Sequence, residues 1–584
     1  MISVERSFFE KFPRLAAGRA RSFSQPVVEL LRKVACEDRI NRTLSALSPL
    51  TGFDFVERAL EHFGVSYRIA HTDRENIPVD GRLIIVANHP LGAFDALALL
   101  HLVGSVRRDV RILANDILGQ LSPISTLMLP VGVFDGAGNA SPRMREAYRA
   151  LEKEQALIVF PAGEVSRLGP QGVRDTRWST GFARLAKRMS APVLPVHIDA
   201  HNSPTFYGLS MLAKPLSSLL LAREMFGAAH ARLGVDVGET VPSGEFASRS
   251  ADQIAAEMRH HVYGLSRRRT SLFATSPAVA HPESPIAVRH ALRRAEVLGR
   301  THDGKQILLI DAEPDCPVLR EIGRLRELSF RRVGEGTGAR RDIDRFDSYY
   351  RHLLLWDEHA LAIVGAYRLG EGAGILKAHG VSGLYSSTLF EYAAHAQAFL
   401  EEGVELGRSF VQPAYWNSRS LDMLWQGIGA YLRHRPDIRY LFGPVSISAA
   451  LPDSAREWIT SYHRTFFGDR EGLAKARHPS MAEADAAAEP RWAGLDAKAG
   501  MSVLKRALAG MGATLPVLYK HYVDLCGPSG VRFLDFGIDP AFGNCIDGLI
   551  RLDLTQLRAN KRDRYLAPPA RFAANSDAAH SSAM

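Results

Sequence analysis

The segment Leu83–Leu100 reads LIIVANHPLGAFDALALL and holds a histidine, His89, followed by an aspartate, Asp95. An imidazole can take a proton from a hydroxyl when its ring is fixed in one tautomer, and a nearby carboxylate fixes it. The β-rich run ends at Ala87, Asn88-His89-Pro90 breaks it, and a helix is expected from about Phe94. Both side chains then sit at the carboxyl end of a strand, where open α/β folds hold their ligands. Gly92 lets the short connection fold Asp95 back onto the ring. The same residues also fit a plainer role, with Asp95 capping the helix and His89 filling a turn. Two further runs share this build. LIVFPAGEVSR (157–167) is an apolar strand stopped by Pro161 and Gly163 and tipped by Glu164 and Arg167, and APVLPVHIDA (191–200) is another strand punctuated by prolines. Three strand ends with polar tips can line one pocket.

A second polar set lies in the other half of the chain. VLREIGRLRELSF (318–330) has helical spacing and carries Arg326, and DIDRFD (342–347) brings Asp342, Asp344 and Asp347 close together. The strands His352–Trp356 and Ala360–Arg368 flank the turn Asp357-Glu358-His359. The strand Val404–Val411 carries Glu405 and Arg408, stops at Pro413, and leads to an amphipathic helix over 418–432 opened by Asn417-Ser418-Arg419-Ser420. A strand, a turn and a helix N-terminus leave free N–H groups that suit a phosphate, phosphopantetheine included. Ser418 and Ser420 serve equally well as helix caps. Glu405 and Arg408 also read as a buried structural salt bridge.

The elements that must position these residues divide the chain. Its 584 residues are 46 % apolar and 23 % charged, which excludes a disordered or fibrous protein and leaves room for two large units. Residues 51–265 alternate apolar strands (Leu83–Ala87, Val110–Leu113, Ala156–Phe160, Val193–Ile198) with helical patterns, which predicts an α/β domain with a largely parallel sheet. Residues 266–286 are rich in arginine, proline and small residues and read as a linker. A second, α+β region spans 287–565, with an exposed insertion expected at 469–500, and 566–584 form a small, polar tail expected to be disordered. Residues 1–50 read as amphipathic helix, with Phe8, Phe9, Phe12, Val27, Val28, Leu30 and Leu31 among basic residues. Such a helix can lie on an anionic membrane or pack on its own domain.

Lys+Arg minus Asp+Glu is 72 − 63 = +9, which favours an acidic partner. The arginines are scattered and no base-reading motif accompanies them, so nucleic acid is not that partner. The four cysteines form no CxxC pair, which points to reduced thiols, no metal site and a cytoplasmic setting. Charges occupy the N-terminal stretch where a signal peptide needs an apolar run, and no apolar stretch is long enough to span a bilayer. Membrane contact is therefore expected to be peripheral, at the inner membrane.

The order NHPLGAFD, FPAGEVSR, APVLPVHI over roughly residues 50–240 resembles the glycerophosphate/lysophospholipid acyltransferase superfamily. That family's usual first motif is H-x4-D, whereas His89 and Asp95 are spaced H-x5-D, as in the branch called putative hemolysins. The resemblance implies His89 as general base on an acceptor hydroxyl, Asp95 as its orienter, and an acyl thioester donor, with no acyl-enzyme. The usual F-P-E-G-T-R block is altered: with Phe160 and Gly163 in place, Glu164 is shifted and Arg167 lies further on. This speaks against a lysophosphatidate and for an acceptor with another head group, whose cation Glu164 can pair. The alternative is a structural Glu164–Arg167 ion pair.

In the second half, Arg326 and Phe330, DIDRFD, Arg368 and the pair Glu405/Arg408 resemble acyl-homoserine-lactone synthases, relatives of the GNAT fold. YRHLLLWD, AIVGAYRL, ELGRSFVQPAYW and YLFGPVSIS resemble the ornithine N-acyltransferase family more closely, and 515–554 extend the likeness. The fold class implied is a glycerophosphate acyltransferase-like α/β domain plus a GNAT-like α+β N-acyltransferase domain. Within it, Asp342, Asp344, Asp347 and Glu405 can bind an ammonium group and accept its proton, and Arg368 or Arg408 can hold a carboxylate. The strand from Tyr440 is expected to splay and admit a pantetheine arm. A glycine-rich coenzyme A loop is absent, which favours acyl carrier protein over acyl-CoA as donor, with no bound cofactor. Together the halves resemble the bifunctional form in which the second half N-acylates ornithine and the first O-acylates the lyso-lipid. Glycine or glutamine as acceptor, a lysophospholipid acyltransferase with an accessory domain, and a membrane-active hemolysin-like protein are the rival expectations.

Overall fold

The computed structural model describes residues 4, 5, 9, 18–34, 36–114, 122–130, 142–169, 172–203, 224, 226–227, 230–267, 269–311, 313, 315–480, 490–527 and 529–567. The chain forms two units, Met1–His281 and Pro282–Met584.

In the first unit the strands are β1 (Ser66–Ile69), β2 (Leu83–Ala87), β3 (Val110–Ala114), β4 (Met128–Pro130), β5 (Ala156–Val159), β6 (Arg167–Gly169), β7 (Gly172–Arg174), β8 (Val193–Asp199) and β9 (Arg232–Val237). Seven of them form one sheet in the order β1-β9-β8-β2-β5-β3-β4. Its pairs are parallel except β8 with β9, and β6 with β7 make a separate antiparallel hairpin. Strand β2 is buried along its whole length, as a run covered on both faces must be. Leu83, Ile85 and Ala87 enter one core and Ile84 and Val86 the opposite one, the two-residue alternation of a strand. The helices that flank this sheet or precede it are α1 (Gly18–Val34), α2 (Glu37–Ala46), α3 (Gly52–Phe63), α4 (Ala93–Gly104), α5 (Pro142–Glu152), α6 (Gly181–Met189) and α7 (Ala251–Leu265). The amphipathic N-terminal reading thus appears as two helices, broken at Cys36, whose φ is +52°. Phe8 and Phe12 lie outside the described residues.

The stretch expected as a linker is divided at His281/Pro282, and most of it packs on the first unit. Phe273 joins the core of Phe246, Met258 and Val262, Ser276 bridges to Thr240, and Ala278 and Ala280 are buried. Its apolar residues outweigh the arginines and prolines that suggested a free tether, because burying them is favourable.

The second unit holds β10 (Glu296–Arg300), β11 (Gln306–Asp311), β12 (Arg351–Asp357), β13 (Ala362–Glu371), β14 (Phe390–Tyr392), β15 (Gly403–Val411), β16 (Tyr440–Ile447), β17 (Ala474–Ala476), β18 (Val531–Asp539) and β19 (Cys545–Asp553). Eight form a sheet in the order β10-β11-β12-β13-β15-β16-β19-β18. Helix α8 (Pro317–Arg331) packs on one face, while α9 (Ser420–Arg433) and α10 (Asp453–Phe467) pack on the other. Leu354 and Trp356 of β12 meet α8, and Leu353 and Leu355 face α9. The 469–500 stretch is not simply an exposed insertion. β17 pairs with β14, and Leu473 and Trp492 are buried, while 481–489 lie outside the described residues.

The only parallel pair in that sheet is β15 with β16, and it lasts for three residue pairs, Gly403↔Tyr440 to Glu405↔Phe442. Beyond that point the strands part, while β16 stays paired with β19 to its end. Gly443 marks the divergence. Its φ is +153°, and a Cβ there would lie 2.0 Å from the Leu406 carbonyl oxygen. Pro444 follows and has no N–H to offer a ladder. On the other strand, Arg408 has φ +49°, next to a bulge in the β13–β15 register. The separation expected for the strand from Tyr440 is present.

Candidate active site

The switch in the first sheet puts β2 between β8 and β5, so the three polar strand ends lie side by side. His89 follows β2 directly. Its Nδ1 lies 3.0 Å from Asp95 Oδ2, in direct contact although off the line of an ideal hydrogen bond. Asp95 is fully buried at the start of α4, and the same oxygen accepts the N–H groups of Leu91 (2.8 Å) and Gly92 (2.9 Å). Burial pushes this carboxyl up from its ordinary range, and the His89 contact opposes the shift. Asp95 therefore caps the helix and faces the imidazole at once. Gly92, at φ +86°, makes the tight return possible. The Phe160 ring stacks on the imidazole at 4.1 Å.

The loop around His89 is pinned on every side. The Asn88 amide donates to the Ile198 carbonyl (2.8 Å) and accepts its N–H (2.7 Å), extending the β2–β8 ladder by a side chain. Asn202 donates to the Pro90 carbonyl at 2.7 Å. The Ser166 N–H donates to the His89 carbonyl at 2.8 Å, and the His89 N–H donates to Asp175 Oδ1 at 3.2 Å. Asn88, Ser166, Asp175 and Asn202 escaped the sequence reading. The first adjoins His89 in NHP and Ser166 sits inside FPAGEVSR, but no spacing rule ties Asp175 or Asn202 to them.

Gly163, at φ +67°, closes the turn after β5, and its N–H donates to the Phe160 carbonyl at 3.1 Å. Arg167 Nη2 donates to Glu164 Oε2 at 2.6 Å, so the structural ion pair is formed, partly open to solvent. His89, Asp95 and Phe160 are together, and Glu164 and Arg167 stand on the adjoining strand end.

In the second unit three arginines interleave with three aspartates. Arg326 of α8 donates to Asp347 Oδ1 at 2.8 Å and lies 3.2 Å from His352 Nδ1. Arg368 of β13 donates to Asp344 Oδ1 at 2.6 Å and stands 3.3 Å from Asp347 Oδ1. Arg408 of β15 has Nε 3.1 Å from Asp342 Oδ2 and Nη2 3.6 Å from Asp344 Oδ2. The 345–348 turn holds two of the aspartates, since Asp344 and Asp347 each accept an N–H of that turn. Burial alone would raise the Asp347 carboxyl, but the charges of Arg326 and Arg368 hold it well below the carboxylate range. Burial dominates at Asp342 and raises it against Arg408. Arg368 Nε and Nη2, and Oδ2 of both Asp342 and Asp344, make no hydrogen bond. The cluster thus holds buried donors and acceptors that lack hydrogen bonds, with Oδ2 of Asp342 and of Asp344 still facing Arg408 as ion pairs, and such alternating charges suit a zwitterion.

Glu405, one of the carboxylates expected to bind an ammonium group and accept its proton, is engaged by three donors. It is buried and accepts the Tyr350 hydroxyl and the N–H groups of Tyr385 (3.0 Å) and Ser386 (2.6 Å). Both oxygens are occupied, so its carboxylate shapes the 385–386 turn. The Glu405–Arg408 salt bridge weighed from sequence is not among the ion pairs of the described residues. Arg408 instead donates to the Tyr385 hydroxyl at 3.0 Å, and that hydroxyl lies 3.4 Å from Asp539 Oδ2. Tyr350 opens the YRHLLLWD run and Asp539 lies within 515–554, but neither stands out there by type or spacing, and Tyr385 comes from a segment that carries no motif. Ser418 and Ser420 lie 2.7 Å apart through their hydroxyls, and Ser418 also donates to the Tyr415 carbonyl at 2.6 Å. They order the turn before α9, whose cap position is Arg419.

Among the described residues no group of ligating side chains fits a metal ion, and no helix is long and apolar enough to cross a membrane.

Residues 6–274 match a family described as "Acyltransferase", and residues 325–426 match "Acetyltransferase (GNAT) domain". The chain is 30 % identical over 287 residues to a glycine N(alpha)-acyltransferase of Bacteroides thetaiotaomicron, covering 47 % of this chain and 84 % of that one. It is 32 % identical over 273 residues to a lyso-glycine lipid O-acyltransferase of the same bacterium, covering 45 % and 97 % respectively. An L-ornithine N(alpha)-acyltransferase of Brucella abortus is 39 % identical over 149 residues, 22 % of this chain and 50 % of that protein.

Proposed function

Because the chain belongs to the acyltransferase family, with an acyltransferase domain followed by a GNAT domain, we propose that its two units act in turn on one amino-acid lipid. It is an enzyme that transfers acyl groups. In our reading the second unit N-acylates ornithine with a 3-hydroxyacyl chain, and the first esterifies the hydroxyl of the product. The observation that carries this reading is that one chain holds both a histidine–carboxylate pair at one strand end and a splayed strand pair whose β15 carries Arg408 of a zwitterion-like charge cluster.

For N-acylation, the spare Arg368 donors take the carboxylate of the amino acid, and Asp342 or Asp344 takes its ammonium group. The ammonium group gives one proton to that carboxylate, the amine nitrogen attacks the thioester carbonyl, the amide C–N bond forms as the C–S bond breaks, and the second nitrogen proton passes to the departing thiolate. The gap between β15 and β16 admits the pantetheine arm, with the turn at Ser418 and Ser420 near the end of β15. For O-acylation, His89 takes the proton of the acceptor hydroxyl as the oxygen attacks a second thioester. The ester C–O bond forms, the C–S bond breaks, and the proton passes to the departing thiolate. Asp95 fixes the ring and stabilises the imidazolium. The lyso-lipid carries a carboxylate and a side-chain ammonium, a match for Arg167 and Glu164 if the pair exchanges partners. Acyl carrier protein is the donor in this reading. The enzyme works peripherally on the cytoplasmic side of the inner membrane, where exposed Val27 and Leu30 of α1 meet the lipid.

One relative acts on glycine by name and another on a lyso-glycine lipid, which favours glycine as the competing acceptor. Expression in a host without aminolipids, followed by lipid mass spectrometry, decides. The expected product has the mass of a diacylated ornithine lipid, and His89→Ala should leave only the monoacyl amide. A glycine-containing product would replace the acceptor, and no new amino lipid from well-expressed protein would end the proposal.

A further inference from the structure

Asp175 lies outside every motif read from the sequence, yet it meets the histidine from behind. Its backbone is fixed by α7: its N–H donates to the Tyr263 hydroxyl at 2.8 Å, and Arg259 donates to its carbonyl at 2.6 Å. Its side chain is buried and fully engaged. Oδ1 accepts the His89 N–H at 3.2 Å and the Ser166 hydroxyl at 2.6 Å, while Oδ2 accepts the Trp178 indole N–H at 2.8 Å. The Ser166 N–H closes the loop on the His89 carbonyl at 2.8 Å. The peptide group on either side of His89 is thus held by two residues, one of which adjoins Arg167.

We infer that Asp175 is the positioning residue that sets where the His89 imidazole stands, and that through Ser166 it ties that position to the Glu164–Arg167 end of β5 and β6. Asp95 and Phe160 fix the tilt of the ring. Neither fixes the backbone from which the ring projects, and a misplacement of about 1 Å costs roughly 100-fold in rate. The two carboxylate oxygens have separable duties. Oδ1 serves the His89 loop, and Oδ2 serves Trp178, a member of the apolar core.

This inference rests on the O-acyl transfer proposed for the first unit, so its test has a readout that needs no turnover. Hydrogen exchange at the His89 amide is measured in the full-length chain, alongside kcat and KM for the lyso-lipid. Asp175→Ala should speed exchange at His89 at least roughly tenfold and lower kcat roughly 100-fold, with KM for the acceptor within about threefold. Trp178→Phe removes only the Oδ2 partner and should lower the melting temperature while kcat stays within about threefold. Asp175→Asn keeps one acceptor oxygen but opposes its amide to the indole N–H. Joined to Trp178→Phe it should recover most of kcat, a rescue that holds even if Asp175→Ala folds poorly. If Asp175→Ala leaves the His89 amide protected, or if kcat across these variants merely follows melting temperature, Asp175 has no positioning role. If the wild-type chain esterifies no lyso-lipid while Asp175→Ala still opens the His89 amide, the positioning stands and the activity reading falls.

Discussion

Replacing Glu405 by glutamine separates a base from a scaffold. The carboxylate accepts three donors in a buried site: the Tyr350 hydroxyl, the Tyr385 N–H at 3.0 Å and the Ser386 N–H at 2.6 Å. Glutamine keeps the shape but offers one acceptor oxygen, so its amide group must face at least one N–H donor. A buried donor left unsatisfied costs about 1–3 kcal/mol, and hydrogen bonds to a charged group contribute about 1.5–3 kcal/mol each. The second unit should therefore lose about 2–5 kcal/mol, which lowers its melting temperature by about 5–15 °C. Amide formation should fall because the Tyr385 hydroxyl, which receives Arg408, loses its anchor. Calorimetry with pH–rate profiles provides the assay. A displaced scaffold lowers the rate at every pH and leaves the profile's shape alone, whereas a lost base turns it into a steady rise toward hydroxide. The reasoning is refuted if Glu405→Gln melts within about 1 °C of wild type while amide synthesis falls more than about 1,000-fold.

Two further outcomes follow from the same unit. Burial raises the Glu335 carboxyl from 4.5 to about 7, against the opposing hydrogen bond from Ser446. The folded chain then holds a proton that the unfolded chain releases, so stability falls as pH rises between about 4.5 and 7, by about 3 kcal/mol at most. Glu335→Gln keeps a partner for Ser446, and urea titrations at pH 5 and pH 8 should show that fall removed. Gly443→Ala should be among the most damaging single changes, because its Cβ would lie 2.0 Å from the Leu406 carbonyl oxygen at φ +153°. A loss above about 3 kcal/mol is expected, and a variant that melts like wild type would show that the strand divergence does not depend on this contact.

The parallel sheet of the first unit was legible because strands buried on both faces must be continuous apolar runs, and Leu83–Ala87 and Val193–Ile198 are such runs. His89 and Asp95 were legible for a related reason. They share one strand end and one turn, so a single stretch of chain determines their distance. The same holds for Asp344 and Asp347, whose reciprocal capping is local. The linker and the insertion were misjudged because composition counts residues without seeing what they bury. Phe273 and Trp492 each outweigh several polar neighbours once a core is available to them.

The sequence by itself determined the chemistry available: an imidazole beside a carboxylate, a set of alternating charges, and strands to carry them. Only the tertiary structure decided which groups are free to use it. It occupied both oxygens of Glu405, left one oxygen each of Asp342 and Asp344 without a hydrogen bond, and brought Asp175 to the back of His89 across 86 positions of chain. The physical reason is that hydrogen-bond satisfaction in a buried site is a property of all the segments that meet there, and those segments meet only when the chain is folded.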